Sequence, residues 1–435
     1  MQQNAIGKYR WTICALVFFA TTINYLDRQV ISLVKEDLDA EFGWTKTDYA
    51  NITVAFQLSY AIAMFGVGRL IDRLGTKIGY ALSLITWSIA AIGHALVKTT
   101  GGFFIARAFL GVTESGNFPA AIKATAEWFP KKERALATGI FNSGTNIGAI
   151  VAPLTVPFIA DALNWRWAFI ITGAIGLIWL IFWFWLYEIP SKQKRLKKPE
   201  YDYIHSDKDE VKETDQEADK GRTSWGKLLG FNQTWAFAIG KFLTDGVWWF
   251  YLFWLPDFLN EQYGLGKTQI AIPVALVYTI AAFGSIFGGW LPMYFIRNGW
   301  PVFRARKTSM LIYAVCALPV VTAQLFGTSL GMWTVVSIIG FAAAAHQAWS
   351  ANIFTTVSDM FPKKAVGSVT GIGGMAGGLG GIVVSKSAGW LLDDYKALGN
   401  IQTGYMIVFI FCGLSYVLAW LLMHFLVPRM KMVNV

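Results

Sequence analysis

The chain has 435 residues, of which 55% are hydrophobic and 15% charged; it carries 42 Gly, 32 Phe and 20 Trp and a formal charge of +10. Roughly a quarter of an ordinary soluble domain is charged, so this balance excludes a water-soluble globule. The basic residues gather in loops between apolar runs, which speaks for anchored cytoplasmic loops rather than for nucleic-acid binding.

A helix that crosses a bilayer needs about 20 mostly apolar residues. Such runs lie near 11–34, 48–70, 78–97, 102–128, 135–160 and 165–187, and again near 233–259, 269–296, 307–326, 330–358, 365–391 and 402–427. They predict an all-α integral membrane protein of twelve transmembrane helices: an N-terminal six-helix bundle (1–187), a cytoplasmic linker (188–232) and a C-terminal six-helix bundle (233–435). The first run is not expected to be a cleavable signal, because it lacks a small-residue cleavage site and continues through Asp27 and Arg28.

In chain order, Asp27 and Arg28 lie in the first run, roughly 24 Å beyond Trp11 along a helix axis. Neighbouring helical positions diverge by about 100°, so the two side chains are free to meet different partners. The fourth run carries Arg107 at similar depth and Glu114 seven residues later on the same face. A charge in hydrocarbon costs at least about 2.5–3.5 kcal/mol, so one that persists faces a cavity or a partner. These charges are open to two readings: a binding site, or a static network locking the first run to the fourth. Snorkelling to water is a further option for Asp27 and Arg28.

The linker starts basic (Lys192, Lys194, Arg195, Lys197, Lys198), turns to mixed charge (Asp207 to Asp219) and ends with Lys220, Arg222 and Lys227. Such a segment cannot bury enough apolar surface to fold alone and reads as a solvated connection. In the seventh run, Lys241 and Asp245 are spaced for an internal i,i+4 ion pair, unless Lys241 faces a cavity. The tenth run holds His346, Gln347, Trp349 and Asn352, a mixture suited to a polyhydroxylated ring, although aromatics in helices more often pack. Tyr25, Tyr60 and Asn146 are similar candidates in the first half. No Lys-Ser/Thr directly follows any of the glycines between 371 and 381, and they lie in an apolar run, so they read as close helix packing rather than as a phosphate loop. Lys386 is expected to snorkel outward. Cys14, Cys316 and Cys412 lie in apolar runs without metal or disulfide spacing.

Orientation follows from the short loops. One side holds Arg69, Arg73, Lys77, Lys131, Lys132, Arg134, Arg297, Arg304, Arg306, Lys307, Lys363 and Lys364; the other holds only Lys35, Lys46, Lys98, Arg166, Lys267 and Lys396. The richer side is predicted cytoplasmic, together with both termini. The halves also repeat: Phe129-Pro130-Lys131-Lys132 recurs as Phe361-Pro362-Lys363-Lys364, 232 residues on, and Glu114 corresponds to His346 at the same offset. Repeated halves about a midplane site are a transporter architecture.

The segment Gly68-Arg69-Leu70-Ile71-Asp72-Arg73-Leu74-Gly75-Thr76-Lys77 resembles the loop motif of the major facilitator superfamily. The stretches Asn24 to Arg28 and Arg107 to Ala120 resemble its anion:cation symporter family. The stretches Trp248 to Pro256 and His346 to Pro362 resemble the bacterial hexuronate (glucuronate/galacturonate) transporters of that family. The resemblance implies a proton-coupled symporter of a sugar acid in a bacterial inner membrane, working as a monomer by alternating access and needing no cofactor. It implies that Asp27 and Glu114 carry protons, with Arg28 and Arg107 as basic partners. It also makes Gly68, Asp72, Arg73 and Gly75 a conformational latch. Within that reading the forked guanidinium of Arg28 suits a substrate carboxylate. An aldonate such as galactonate, another organic monocarboxylate, sodium coupling, or a non-transporting membrane sensor are the alternatives. No nucleophile–base arrangement or cofactor motif points to an enzyme.

Overall fold

The computed structural model describes residues 7–206, 225–325, 329, 331–361, 363–429 and 431–433. The acidic middle and the Lys220/Arg222 end of the linker lie outside the described residues. Among those described, every regular element is helical. This suits a chain in lipid, where backbone groups must pair within the segment.

In the first half the helices are α1 (Tyr9–Leu33), α2 (Lys35–Phe42), α3 (Lys46–Leu74), α4 (Thr76–Gly93), α5 (Thr100–Glu114), α6 (Asn117–Trp128), α7 (Lys131–Ala162) and α8 (Trp165–Leu186). Short helices α9 (Lys198–Ile204) and α10 (Trp225–Leu229) lie in the linker. The second half holds α11 (Asn232–Tyr263), α12 (Ala271–Arg297), α13 (Val302–Ala317), α14 (Thr322–Leu325), α15 (Met332–Met360), α16 (Lys363–Ala397) and α17 (Ile401–Leu426). Each of the twelve apolar runs falls on one helix or on a broken one. The fourth run breaks between α5 and α6, and the ninth between α13 and α14. Among the described residues, seven helical segments are long and apolar enough to cross a membrane by length and composition alone. The helices that carry Asp27, Lys241 and His346 are not among them because polar side chains lower their apolar character, and α5, which carries Glu114, has only 15 residues.

The chain divides into two compact units, Met1–Val34 with Ala55–Lys220 and Lys35–Val54 with Gly221–Val435. Glycines set the helix packing within each. In the first unit, a Cβ at Gly144 would stand 2.6 Å from Phe18 O and one at Gly148 2.5 Å from Thr22 O, so α7 runs against α1 at backbone distance. In the second, a Cβ at Gly284 would stand 2.1 Å from Ala344 O and one at Gly288 2.5 Å from Ala348 Cα, which fixes α12 on α15. The glycine-rich stretch of α16 does the same against α11, where a Cβ at Gly380 would meet Phe242 O at 1.9 Å.

The sequence repeat has a conformational counterpart. Phe129 ends α6 at φ −125°, ψ 135°, and Phe361 ends α15 at φ −123°, ψ 143°. Each donates its N–H back into its helix, to Thr125 O and Val357 O at 3.0 and 2.9 Å.

The linker is less solvated at its start than its charge suggests. Glu200 of α9 is buried, accepts from the backbone N–H groups of Tyr9 and Arg10 at 3.0 Å each, and pairs with the Arg10 guanidinium at 3.1 Å. Arg10 also pairs with Glu133 of α7 at 2.8 Å. A carboxylate at the free N–H groups that open α1 satisfies donors which have no partner within the helix.

Candidate functional site

In the first unit, α1, α3 and α5 bring four charges and three aromatic rings together. Gly111 lets α5 approach α3, since a Cβ there would stand 2.4 Å from Phe56 O. Glu114, the last residue of α5, is fully buried and faces Arg28 of α1, which is 3% exposed. Arg28 Nε and Nη2 both reach Glu114 Oε2, at 3.1 and 3.0 Å, and Nη2 also reaches Asn24 Oδ1 at 3.2 Å. The guanidinium carbon lies 4.6 Å from the ring centroid of Tyr25, 5.1 Å from Phe56 and 5.0 Å from Tyr60. A cation framed by ring faces keeps its charge at lower cost than in plain hydrocarbon.

Arg107 does not close an ion pair with Asp27. It donates through Nη2 to the backbone oxygen of Arg28 at 2.9 Å and lies 5.4 Å over Phe56. Asp27 turns the other way, as neighbours on a helix must. It is 1% exposed, and neither carboxylate oxygen makes a hydrogen bond among the described residues. Thr172 of α8 and Trp87 of α4 are its polar neighbours without closing a bond of proper geometry. The unit therefore holds one acid clamped by an arginine and one buried acid with no hydrogen-bonding partner. A charged carboxylate in the second position is expensive, and a proton removes that cost. Asn146 of α7 is buried.

The second unit holds a separate polar cluster. Lys241 and Asp245 of α11 form the i,i+4 ion pair at 2.6 Å, and the ammonium lies 4.3 Å from the Phe354 ring centroid. His346 of α15 is buried. Its Nδ1 lies 2.8 Å from the hydroxyl of Tyr416 on α17, and its ring stacks on Trp248 at 5.0 Å and 9°. The Gln347 amide oxygen accepts from Ser285 at 3.5 Å. Trp349 is fully buried, edge-on to Tyr416 at 5.8 Å. The Asn352 amide nitrogen donates to Gly288 O and Ala348 O, at 2.6 and 2.9 Å, and so ties α15 to α12.

Two further groupings lie away from these clusters. In the second unit, Lys46 Nζ lies 2.6 Å from Asp257 and 2.8 Å from Glu261, and Lys35 Nζ lies 3.0 Å from Asp257. Tyr405 donates to the same Asp257, and Asp393 accepts from the N–H groups of Lys46 and Thr47 at the start of α3. Burial works against the Lys35 charge, yet Asp257 and Asp39 outweigh it and hold the ammonium above its ordinary range. Lys386, expected to snorkel outward, is exposed and donates to Asn51. The signal for this grouping is Asp257 itself, a carboxylate inside an apolar run.

The second grouping lies at the loop motif. Gly75 has φ +77°, a left-handed value that explains the glycine, and nothing crowds Gly68. Arg73 is exposed, while the side chains of Asp72 and Arg69 lie outside the described residues. Just beyond, Thr76 donates to Glu127 at 2.7 Å, Tyr187 donates to the same carboxylate at 2.6 Å, and Lys77 pairs with Glu188 at 2.8 Å. The Lys77 hydrogen bond holds the Glu188 carboxyl below its usual range.

Residues 17–385 match the Major Facilitator Superfamily, and the chain belongs to that family. It is a multi-pass membrane protein and not an enzyme. It is 32% identical over 384 residues to the hexuronate transporter of Escherichia coli K12, covering 88% of each chain. It is 35% identical over 286 residues to the galacturonate transporter of Dickeya chrysanthemi, covering 66% of this chain and 82% of that one. Its fold matches a bacterial homologue of the human lysosomal transporter Spinster with a TM-score of 0.77 at 18% identity, over 99% of this chain and 100% of that one.

Proposed function

We propose that this protein is a proton-coupled symporter that imports a sugar acid, most simply a hexuronate such as glucuronate or galacturonate, across a bacterial inner membrane by alternating access. The termini are assigned to the cytoplasm on the loop charges. The observation that carries the reading is the contrast between two buried acids, Glu114 clamped by Arg28 and Asp27 without a hydrogen-bonding partner.

Arg28 is the assigned carboxylate receptor. Its planar fork spends two donors on one oxygen of Glu114, a partner that a ligand carboxylate can replace with better geometry. Releasing Glu114 leaves a buried carboxylate without its counter-ion, and a proton is what makes that state tolerable. Asp27 is assigned the same chemistry beside it. Substrate arrival and proton uptake are thus linked through one arginine. Tyr25 and Tyr60 flank the guanidinium, and His346 and Gln347 are assigned to the substrate's hydroxyl groups. Names borne by relatives at 32% and 35% identity support the sugar-acid class.

Uptake of labelled glucuronate into proteoliposomes with an imposed inward proton gradient tests the reading. Accumulation that collapses with a protonophore is expected. Uptake indifferent to the gradient removes the coupling, and absence of uptake for glucuronate, galacturonate and galactonate alike removes the substrate class.

A further inference from the structure

The first unit carries a feature that the charge site at Arg28 does not use. Between α1, α7 and α8 lies an open apolar groove of about 550 Å³, with Ala15, Phe19, Val151, Ile178 and Phe182 among its walls. Phe19 is 55% exposed and Ile178 54%, so no other described residue covers them. The groove follows α1 from Thr12 to Leu26, roughly 21 Å of helix, and α8 from Ile175 to Leu186. One leaflet of a bilayer is about 15 Å of hydrocarbon deep, so the groove has the length of a lipid tail. An exposed apolar face is ordinary on a membrane helix, but a concave one has to be filled from outside, because an empty groove forfeits dispersion contacts.

The Leu186 end of the groove is the end assigned to the cytoplasm, and there the linker folds back onto α8. The Tyr9 hydroxyl and the Gln193 amide both donate to Leu186 O, at 2.6 and 2.9 Å. Beyond the turn at Pro190–Lys192, the Arg195 guanidinium carbon lies 4.8 Å from the ring centroid of Trp185. Trp185 stands three residues after Phe182 on α8, and so on the face that walls the groove. Lys8, Lys192, Lys194, Arg195, Lys197 and Lys198 are exposed, and none of them forms an ion pair among the described residues. The nearby acids are spent: Glu188 pairs with Lys77 at 2.8 Å and Glu200 with Arg10 at 3.1 Å, which leaves Asp202 as the exposed acid between 188 and 206. The mouth of an apolar groove is therefore basic.

We propose that this groove and its basic mouth seat one anionic phospholipid, with an acyl chain lying between α1 and α8 and the headgroup phosphate held by Arg195 together with Lys192 and Lys194. Charge complementarity decides the occupant. A zwitterionic lipid, or an apolar helix of a second copy, fills the groove but leaves the cations unanswered. A guanidinium fork takes two phosphate oxygens. The Trp185 ring suits the depth of the membrane interface, where headgroups lie. Clustered Lys and Arg next to a membrane helix favour anionic headgroups. All the parts lie in the first unit. The seated lipid ties the end of α8 to the start of the linker, the same segment whose Glu200 closes the N-terminus of α1.

The test uses the full-length protein, purified and stripped of lipid in a neutral detergent, with native mass spectrometry to count bound lipids. Phosphatidylglycerol and phosphatidylcholine with the same acyl chains compete for it. Wild type is expected to retain one phosphatidylglycerol in preference by about tenfold or more, since each Lys or Arg beside an anionic headgroup is worth about fivefold. Arg195→Ala is expected to lower that preference by about fivefold, and the triple change of Lys192, Lys194 and Arg195 to Ala to abolish it. Ala15→Trp, at an exposed position, fills the groove and is expected to expel the lipid with the basic residues intact. Ile178→Trp is a second filler, read in case the first does not fold. Equal retention of the two lipids overturns the inference. So does a preference that both fillers leave unchanged, which would reduce the mouth to a diffuse basic surface. Glycerol phosphate that displaces phosphatidylglycerol as well as the intact lipid does would show that the groove holds no tail, and a dimer that both fillers break would show that a second copy occupies it; either result overturns the inference.

Discussion

Arg28 and Glu114 meet at a single oxygen: Nε and Nη2 both converge on Oε2, at 3.1 and 3.0 Å, and Glu114 Oε1 is left without a hydrogen bond. A guanidinium fork is built for two oxygens, so this pair is held below its best geometry. Replacing Arg28 by Lys turns the fork into a point charge. Hydrogen bonds to charged groups are worth about 1.5–3 kcal/mol each, so glucuronate binding, read by calorimetry, is expected to weaken by about tenfold to a hundredfold. Unchanged affinity would remove Arg28 from the carboxylate site.

Glu114→Gln keeps the shape of the Arg28 partner and removes its exchangeable proton. Accumulation driven by a proton gradient is expected to vanish, while exchange of labelled for unlabelled glucuronate continues. If binding is lost instead, Glu114 is a direct substrate contact.

Asp27→Asn separates stability from transport. The carboxylate oxygens of Asp27 have no hydrogen bond to lose among the described residues, and an amide carries no charge to bury. The thermal midpoint is expected to hold or rise, with gradient-driven uptake lost. A large drop in midpoint would mean that the Asp27 charge is structurally compensated.

How far these residues could be read in the sequence depended on whether their chemistry is local. Asp27, Arg28, Arg107 and Glu114 stand out because a charge in an apolar run needs a reason, and the divergence of Asp27 from Arg28 follows from helix geometry alone. The partner of each charge was not legible: Arg107 meets a backbone oxygen rather than Asp27, a matter of tertiary approach. The same criterion marks Asp257, yet its partners Lys35 and Lys46 lie over two hundred residues away and look like ordinary loop lysines. Tyr416 reads as packing until the fold sets it against His346. The start of the linker reads as solvated because composition does not show that Glu200 caps α1. The twelve apolar runs were legible, but the breaks in the fourth and ninth and the short helices α2, α9 and α10 were not, because length and apolarity alone do not decide them.

The Lys46–Asp257 pair, with side chains 4% and 5% exposed, carries a stability prediction. Removing one partner of a buried ion pair typically costs about 3–5 kcal/mol. Asp257→Ala is expected to lower denaturant stability on that scale. Lys46→Ala combined with it is expected to cost less than the sum of the two single changes. Strict additivity would mean that the pair does not couple.

The Lys77–Glu188 pair makes stability depend on acid. The folded carboxyl lies below its ordinary range. Its contribution is therefore fully present above the unfolded value, about 4.3, and is lost as pH falls through the lower folded value. In melts from about pH 6 down to about pH 3, wild type is expected to lose more stability than Glu188→Gln. Parallel curves would show that the pair contributes nothing.

Proton movement can be read without imposing any gradient. Proteoliposomes in weakly buffered medium are given glucuronate, and the external pH is followed. Symport requires the outside to turn alkaline as substrate enters, at a rate that follows glucuronate concentration and disappears in Glu114→Gln. Glucuronate entry with no change in pH, or entry that depends on sodium instead, contradicts the coupling assigned to Asp27, Arg28 and Glu114.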